Sequence, residues 1–420
     1  MKTRRSALPD WAIPLCYAVV AVLMGLLLPR IERKYFATLT APVSAPVALT
    51  LVSSITSGMI ALTGIVFSLA FVMVQFSAVA YSPRLVMWVS RDPVIWHSIG
   101  MFTATFLYGI GEMAWIDRGA SGTVPLLTSW LVIFLTLGSV GMFVALIQRL
   151  ALLQITQMLV FTGSLGRRTI EDTYPEIDTP PSVARREEFQ ESAVTQIVVH
   201  SGGPQALQAI DKRDLLMLST QTGGCVEVMA AVGDTLISGM PILRVFGGNN
   251  SVDDDRWRRA FARGSERTFE QDPKYAIRLL VDIAIKALSP AINDPTTAVQ
   301  ALDHIQDQLL RLGRRRLEIG AEHDARGILK LVIPHPTWED FLTLAFDEIR
   351  FYGATSVQVM RRMHALVGDL IALLPPERHS ALEAERERLN SSIARSFSDE
   401  YERRKALVED RQGLGMTRAH

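Results

Sequence analysis

VALTLVSSITSGMIALTGIVFSLAFVMVQFSAVA, from Val47 to Ala80, decides the class of this protein. It lies inside a stretch of 49 residues, Tyr35 to Pro83, that carries no charge. Pro42 and Pro46 interrupt the start of that stretch, so a helix is predicted from about Val47. At 1.5 Å per residue, 47–80 would reach roughly 50 Å, against a hydrocarbon core of about 30 Å. Two spans would need about 40 residues and a turn, and no turn cluster interrupts 47–80. One long helix, tilted or projecting beyond the bilayer, is the reading.

Further apolar segments flank it. Trp11 to Leu28 is an uncharged run bracketed by Lys2, Arg4 and Arg5 before it and by Arg30, Arg33 and Lys34 after it. It ends in Leu28-Pro29-Arg30 rather than in a small-residue cleavage site, so it reads as an uncleaved span. Asp92-Pro93 starts a third span as N-cap and first helical residue. Four transmembrane helices are therefore predicted, at about 11–28, 47–80, 93–113 and 123–147, in a membrane domain covering 1–165. Lys2, Arg4, Arg5, Arg84, Arg91, Arg149, Arg167 and Arg168 fall on one side of these spans, and Arg30, Arg33, Lys34 and Arg118 on the other. The more basic side is the cytoplasmic one, which puts both termini in the cytoplasm.

Ser53, Ser57, Gly64, Ser68, Gln75 and Ser82 recur at spacings of four and seven, which holds them near one face of the second span. Small residues there let helices approach closely. In a ring of copies, the same stripe would line a wetted pore. It bears no charge, which disfavours a pump or a strongly selective filter but leaves room for a passive path. His97 and Glu112 lie at opposite ends of the third span, each within reach of an interface.

The composition agrees with this division. The 420 residues balance 43 basic against 43 acidic, and mean hydropathy is +0.21. Residues 1–150 hold ten of the basic and five of the acidic residues, so residues 151–420 hold 33 and 38. That excludes a single soluble globule, a disordered chain and a nucleic-acid binder with a broad basic face. Cys16 and Cys225 form no disulfide framework or cysteine-based zinc site.

Beyond the spans, 166–190 reads as a connector, with Pro180 and Pro181 in a mixed charge run. Residues 191–247 read as a small β-sandwich or barrel-like module, with turns at Gly233-Asp234 and Gly239. Its glycine spacing resembles the barrel-sandwich hybrid of biotinyl and lipoyl domains. No lysine occurs from Asp214 to Phe246, so a carrier role is not expected. Residues 256–376 read as a helical cytosolic domain and 377–420 as a charged helical tail, solvated or self-associating. The architecture predicted is thus an α-helical integral membrane protein with a C-terminal cytosolic α+β region.

Phosphate-loop, nucleophile-elbow and zinc-protease motifs are all lacking, and the eight histidines never fall at metal-ligand spacing. No catalytic residue, cofactor or metal is therefore expected, and the protein is not read as an enzyme. SPAINDPTT (Ser289–Thr297) is the soluble segment densest in ligand-binding groups: Ser289, Pro290, Asn293, Asp294 and Thr296. It is either a double helix break or a ligand or interface loop.

FSLAFVMVQFSAVAYSPRLVMWVSRDP (Phe67–Pro93), GGCVEVMAAVGDTLISGMPILRV (Gly223–Val245) and LLVDIAIKALSPAINDPTTAVQALD (Leu279–Asp303) occur in this order. Together they resemble a bacterial family of predicted membrane proteins, domain of unknown function 2254, over about residues 10–375. The resemblance implies N-terminal spans and a cytosolic tail, and lends no activity and no site residues. Two functions are carried forward: a homo-oligomeric channel or channel-like permease with a cytosolic regulatory tail, and a non-transporting scaffold or sensor. The expected partners are the lipid bilayer, further copies of the chain and, in the second case, a cytosolic protein bound through 190–420.

Overall fold

The structure, a computed structural model, describes residues 11–36, 40–80, 93–116, 124–151, 155–177 and 193–415. The side chains of residues 70, 73–80, 150 and 151 lie outside the description, as do Ser82, the SPRL motif and most of the connector. The chain divides into two compact units, Met1–Gln154 and Ile155–His420.

Among the described residues the first unit holds four helices: α1 (Ala12–Tyr35), α2 (Ala45–Ala80), α3 (Pro93–Met113) and α4 (Leu126–Ala151). Each contains a window long and apolar enough to cross a membrane. Half of the α3 window is buried (50%), against 17–22% in the other three, so α3 is the helix around which the unit packs.

Small residues make that packing close. The Cα of Gly111 in α3 meets the backbone of Gly25 in α1, where a Cβ would lie 3.3 Å from the Gly25 Cα. Gly100 seats the Tyr17 ring, and Gly109 accommodates Thr56 of α2. Against α4, the buried Thr105 and Ser139 hydroxyls are 2.9 Å apart. Hydroxyl bonds and close backbone approach hold helices together where lipid removes the hydrophobic drive between them.

In the second unit, α5 (Ile155–Thr173) opens the chain, and its buried face includes Leu159, Thr162, Gly163, Gly166 and Ile170. The sequence predicts a membrane domain to 165 and a connector from 166; the chain instead divides after Gln154. The reason is amphipathic: Gly163 and Gly166 seat against His304, Gln308 and Ala276 of two later helices.

Two sheets follow. One has the order β1 (Val194–Val199), β5 (Pro241–Phe246), β3 (Cys225–Val228), β8 (Leu329–Val332), β7 (Ala321–His323). Its pairings are antiparallel except β3 with β8, which run parallel with Val226 opposite Leu331. The other has the order β4 (Thr235–Leu236), β2 (Gln205–Ile210), β6 (Phe261–Gly264). Both sheets, together with α6 (Lys212–Thr222), feed one core that includes Val198, Leu207, Leu215, Val226, Leu243, Trp257 and Leu331.

The barrel expected of residues 191–247 is not closed, because each sheet keeps two outer strands. Residues 191–247 supply five strands, one only two residues long, and cannot enclose that core alone. The module recruits β6, β7 and β8 from residues 256–376, where the sequence predicts a helical domain with one short strand, Ile328–Ile333, the place of β8.

The rest is helical: α7 (Asp254–Arg258), α8 (Pro273–Ala287), α9 (Pro295–Gly313), α10 (Trp338–Tyr352), α11 (Val357–Leu373), α12 (His379–Ser396) and α13 (Glu400–Ala406). In α8, Ala276, Ile277, Leu280, Ile283, Ala284 and Ala287 form the buried stripe that the sequence spacing predicts. The tail is not a solvated rod. Leu382, Leu389 and Ile393 of α12 are fully buried, and Arg361 of α11 donates to the Lys405 carbonyl in α13.

Candidate functional site

On α2, Ser53, Ser57, Gly64 and Ser68 are all exposed, and a Cβ at Gly64 would touch nothing within 4 Å. Gln75 lies on the same helix with its side chain outside the description. Among the described side chains of α2, the buried ones are Ala45, Ala48, Val52, Thr56, Met59 and Val66. At about 100° per residue, the two sets are centred roughly 140° apart on the helix. The chain's own packing therefore does not use the described part of the stripe, Ser53 to Ser68.

In SPAINDPTT the backbone makes two helix ends with one left-handed residue between them, Asn293 at φ 49. The Ser289 hydroxyl donates to the Lys286 carbonyl. Asp294 caps α9, accepting from the Thr297 amide (3.1 Å) and hydroxyl (2.6 Å). Pro290, Asn293 and Thr296 are exposed. Ser289 and Asp294 are thus committed to the two helix ends.

Glu112 is wholly buried, not turned to an interface as its place near the end of α3 suggests. The Ser129 hydroxyl donates to its Oε1 at 2.7 Å, and its Oε2 has no hydrogen-bond partner among the described residues. Glu32, which no sequence pattern marks, is buried too. It accepts from the Leu127 and Thr128 amides and from the Thr128 hydroxyl, capping α4 from another helix. His97 shares a 3.2 Å hydrogen bond with the Tyr17 hydroxyl.

The second unit contains a cavity of about 610 Å³ that no motif announces. It lies where the end of α5 (Arg168, Tyr174), the start of α6 (Lys212), the segment Phe269–Lys274 and the segment Ile333–Pro336 meet. Asp272 stands at the N-cap of α8, with Pro273 after it. Its carboxylate does not bond the helix amides, however, because Arg267 takes it with Nε at 2.8 Å and Nη2 at 3.0 Å. Gly233, at φ 95, makes room for this pair: a Cβ there would lie 2.6 Å from Asp272 Oδ2. Gln271 adopts φ 57, and its Oε1 accepts from the Ile210 amide at 3.0 Å.

Tyr174 is almost fully buried, edge-on to both the His335 and Phe341 rings, with centroids 6.2 Å away in each case. Its hydroxyl and the Nε2 of His335 find no hydrogen-bond partner among the described residues. Burial pushes His335 down to about 4, and the Lys212 and Lys274 ammonium groups add to that shift. Burial also lowers Lys212, partly offset by Glu322, whose carboxylate is 4.0 Å away. The Tyr174 phenol is raised, by burial first and then by the Asp272 charge. At neutral pH the inner wall thus presents an uncharged imidazole, an un-ionised phenol and two lysines, beside a carboxylate already paired with arginine.

Among the described residues, no group of three histidine, cysteine, aspartate or glutamate side chains is placed to hold a metal ion. The family described as "Predicted membrane protein (DUF2254)" matches residues 9–369 of the chain. The chain belongs to that family. Its similarity to DUF2254 thus covers the four apolar helices and most of the second unit, the cavity included. Curated relatives include the uncharacterized protein Mb1321c of Mycobacterium bovis and the uncharacterized protein Rv1290c of Mycobacterium tuberculosis. Each is 27% identical over 372 residues, which is 84% of this chain and 69% of the relative. No solved structure matches the chain.

Proposed function

We propose that this membrane protein is a homo-oligomeric channel or channel-like permease of the bacterial inner membrane. Both termini lie in the cytoplasm, and the C-terminal unit is the regulatory part. The observation that supports this reading is the open stripe of α2. Ser53, Ser57, Gly64 and Ser68 lie far from the face by which the helix packs on its own chain. Lipid gains nothing from hydroxyls, whereas a ring of copies would turn the same stripe to a shared axis and wet it. An uncharged lining suits passive passage, and no catalytic step enters the reading.

The test is reconstitution of the full chain in planar bilayers, with native mass measurement of its oligomeric state. Currents from an oligomer that Ser57→Leu and Ser68→Leu reduce severalfold are expected. A strict monomer, or bilayers silent across voltage, tension and ion type, would refute the channel.

A non-transporting sensor that recruits a cytosolic partner through residues 190–420 is the second reading. It is favoured by a unit whose cavity keeps buried polar groups unpaired. Pull-downs that return nothing dependent on that region would count against it.

A further inference from the structure

The geometry points to the cavity between α5, α6, α8 and the Ile333–Pro336 segment as a binding site for a small ligand bearing an oxyanion, a phosphate or carboxylate group. Lys212, Lys274 and the Tyr174 hydroxyl are its donors, and His335 is the polar wall beside them. This site stands whether or not the membrane helices conduct.

Three observations carry it. The first is size: about 610 Å³ lies in the range of pockets that enclose metabolites and cofactors. The second is unpaired polarity. A buried donor without an acceptor costs folding free energy, yet the Tyr174 hydroxyl is left in that state with its ring fixed between His335 and Phe341. The hydroxyl is closed to water in the empty site, so a ligand oxygen completes it only once the ring or its neighbours shift to admit it. The third is the sign of the local charge. The buried carboxylate, Asp272, is consumed by Arg267 in a two-bond pair, so it does not cancel the lysines. The two further carboxylates of the lining, Asp172 and Glu270, are exposed and solvated. Lys212 and Lys274 both act on the His335 ring, so their charge converges on one region of the wall, and the half-exposed Glu322, 4.0 Å from Lys212, offsets part of it.

The apolar part of the lining, with Ile210, Val232, Phe269 and Ile333, suits a ligand with an organic body behind its anionic group. Such walls also raise the worth of each charged hydrogen bond by excluding water. A free phosphorylated or carboxylated metabolite and the headgroup of an anionic lipid share this chemistry, and the experiment separates them.

The full chain is purified in neutral detergent and titrated calorimetrically with inorganic phosphate and with glycerol 3-phosphate. A parallel titration uses micelles doped with phosphatidylglycerol. Saturable binding is expected, weakened about tenfold by Tyr174→Phe and by Lys274→Gln. Lys330→Gln, which lies outside this cavity, should leave it unchanged. Tyr174→Phe removes only a hydroxyl that bonds nothing in the empty site, so its melting temperature should not fall, and lost binding is not lost folding. Response to the soluble phosphates identifies a free ligand, whereas response to the doped micelles alone identifies a lipid headgroup. No saturable binding of any probe, or binding that both cavity variants leave intact, overturns the assignment.

Discussion

Acid should loosen the C-terminal unit through His364, and the size of the effect follows from its surroundings. The side chain lies in α11, 5% exposed, with Nε2 unpaired among the described residues. Burial and the nearby Arg386 of α12 push its pKa down from 6.5 to about 4. Because the folded value lies below the ordinary one, the unfolded chain takes up the proton first. Stability from this group is complete above about pH 6.5 and drains away as pH falls toward 4. At about 1.4 kcal/mol per pKa unit, the whole interval is worth about 3 kcal/mol. For a unit of this size, 1 kcal/mol moves the midpoint by roughly 2–4 °C, so His364 accounts for about 6–12 °C across the window. The assay compares apparent melting temperatures of the wild-type chain and His364→Leu in detergent, by intrinsic fluorescence, from pH 7.5 to 4.5. The variant should lose less stability on acidification, with the curves diverging below about pH 6.5. His335 shifts in the same direction and remains in both proteins, so it cancels in the difference. Parallel curves would refute the assignment.

Other expectations follow from single contacts. Gly111→Val must force the α1 and α3 backbones apart at Gly25, a cost of about 1–3 kcal/mol measurable as lost thermal stability in detergent. Gly141→Val, at a position with open space around its Cβ, should cost less. Asp294→Ala removes the cap of α9 and should destabilise the C-terminal unit by about 1 kcal/mol in denaturant titrations, whereas Asn293→Gly, at φ 49, should be tolerated. The Cys225 thiol is buried and pushed up to about 11, so maleimide at pH 7.5 should label it only after unfolding. Rapid labelling of Cys225 in the native Cys16→Ala chain, which lacks the exposed thiol, would contradict that burial.

Much of the architecture is legible in the residues because it depends on local quantities. An apolar helix long enough for a bilayer is recognisable from its own composition, and α1 to α4 are such helices. Proline after an aspartate marks the starts of α8 and α9, and the glycine at 233 marks its turn, because those positions answer to backbone geometry alone. The periodic apolar residues of α8 announce a buried face but not the surface that buries it.

What covers each face is a tertiary decision. Residues 191–247 read as a complete β module, yet their sheet is finished by β7 and β8 from far along the chain, because any apolar strand edge satisfies the same alternation. Glu112 sits at a helix end in the sequence and becomes buried only when α4 packs over it, bringing Ser129. The candidate cavity is the extreme case. Tyr174, Lys212, Asp272 and His335 belong to separate segments with no shared motif, and Asp272 reads as an ordinary helix cap. Neighbours within a few residues are enough to set the four apolar helices and the helix starts and turns of the second unit. Which polar groups share a cavity, and which are left without partners, is settled only by the fold, since burial and pairing exist only once distant segments exclude water together.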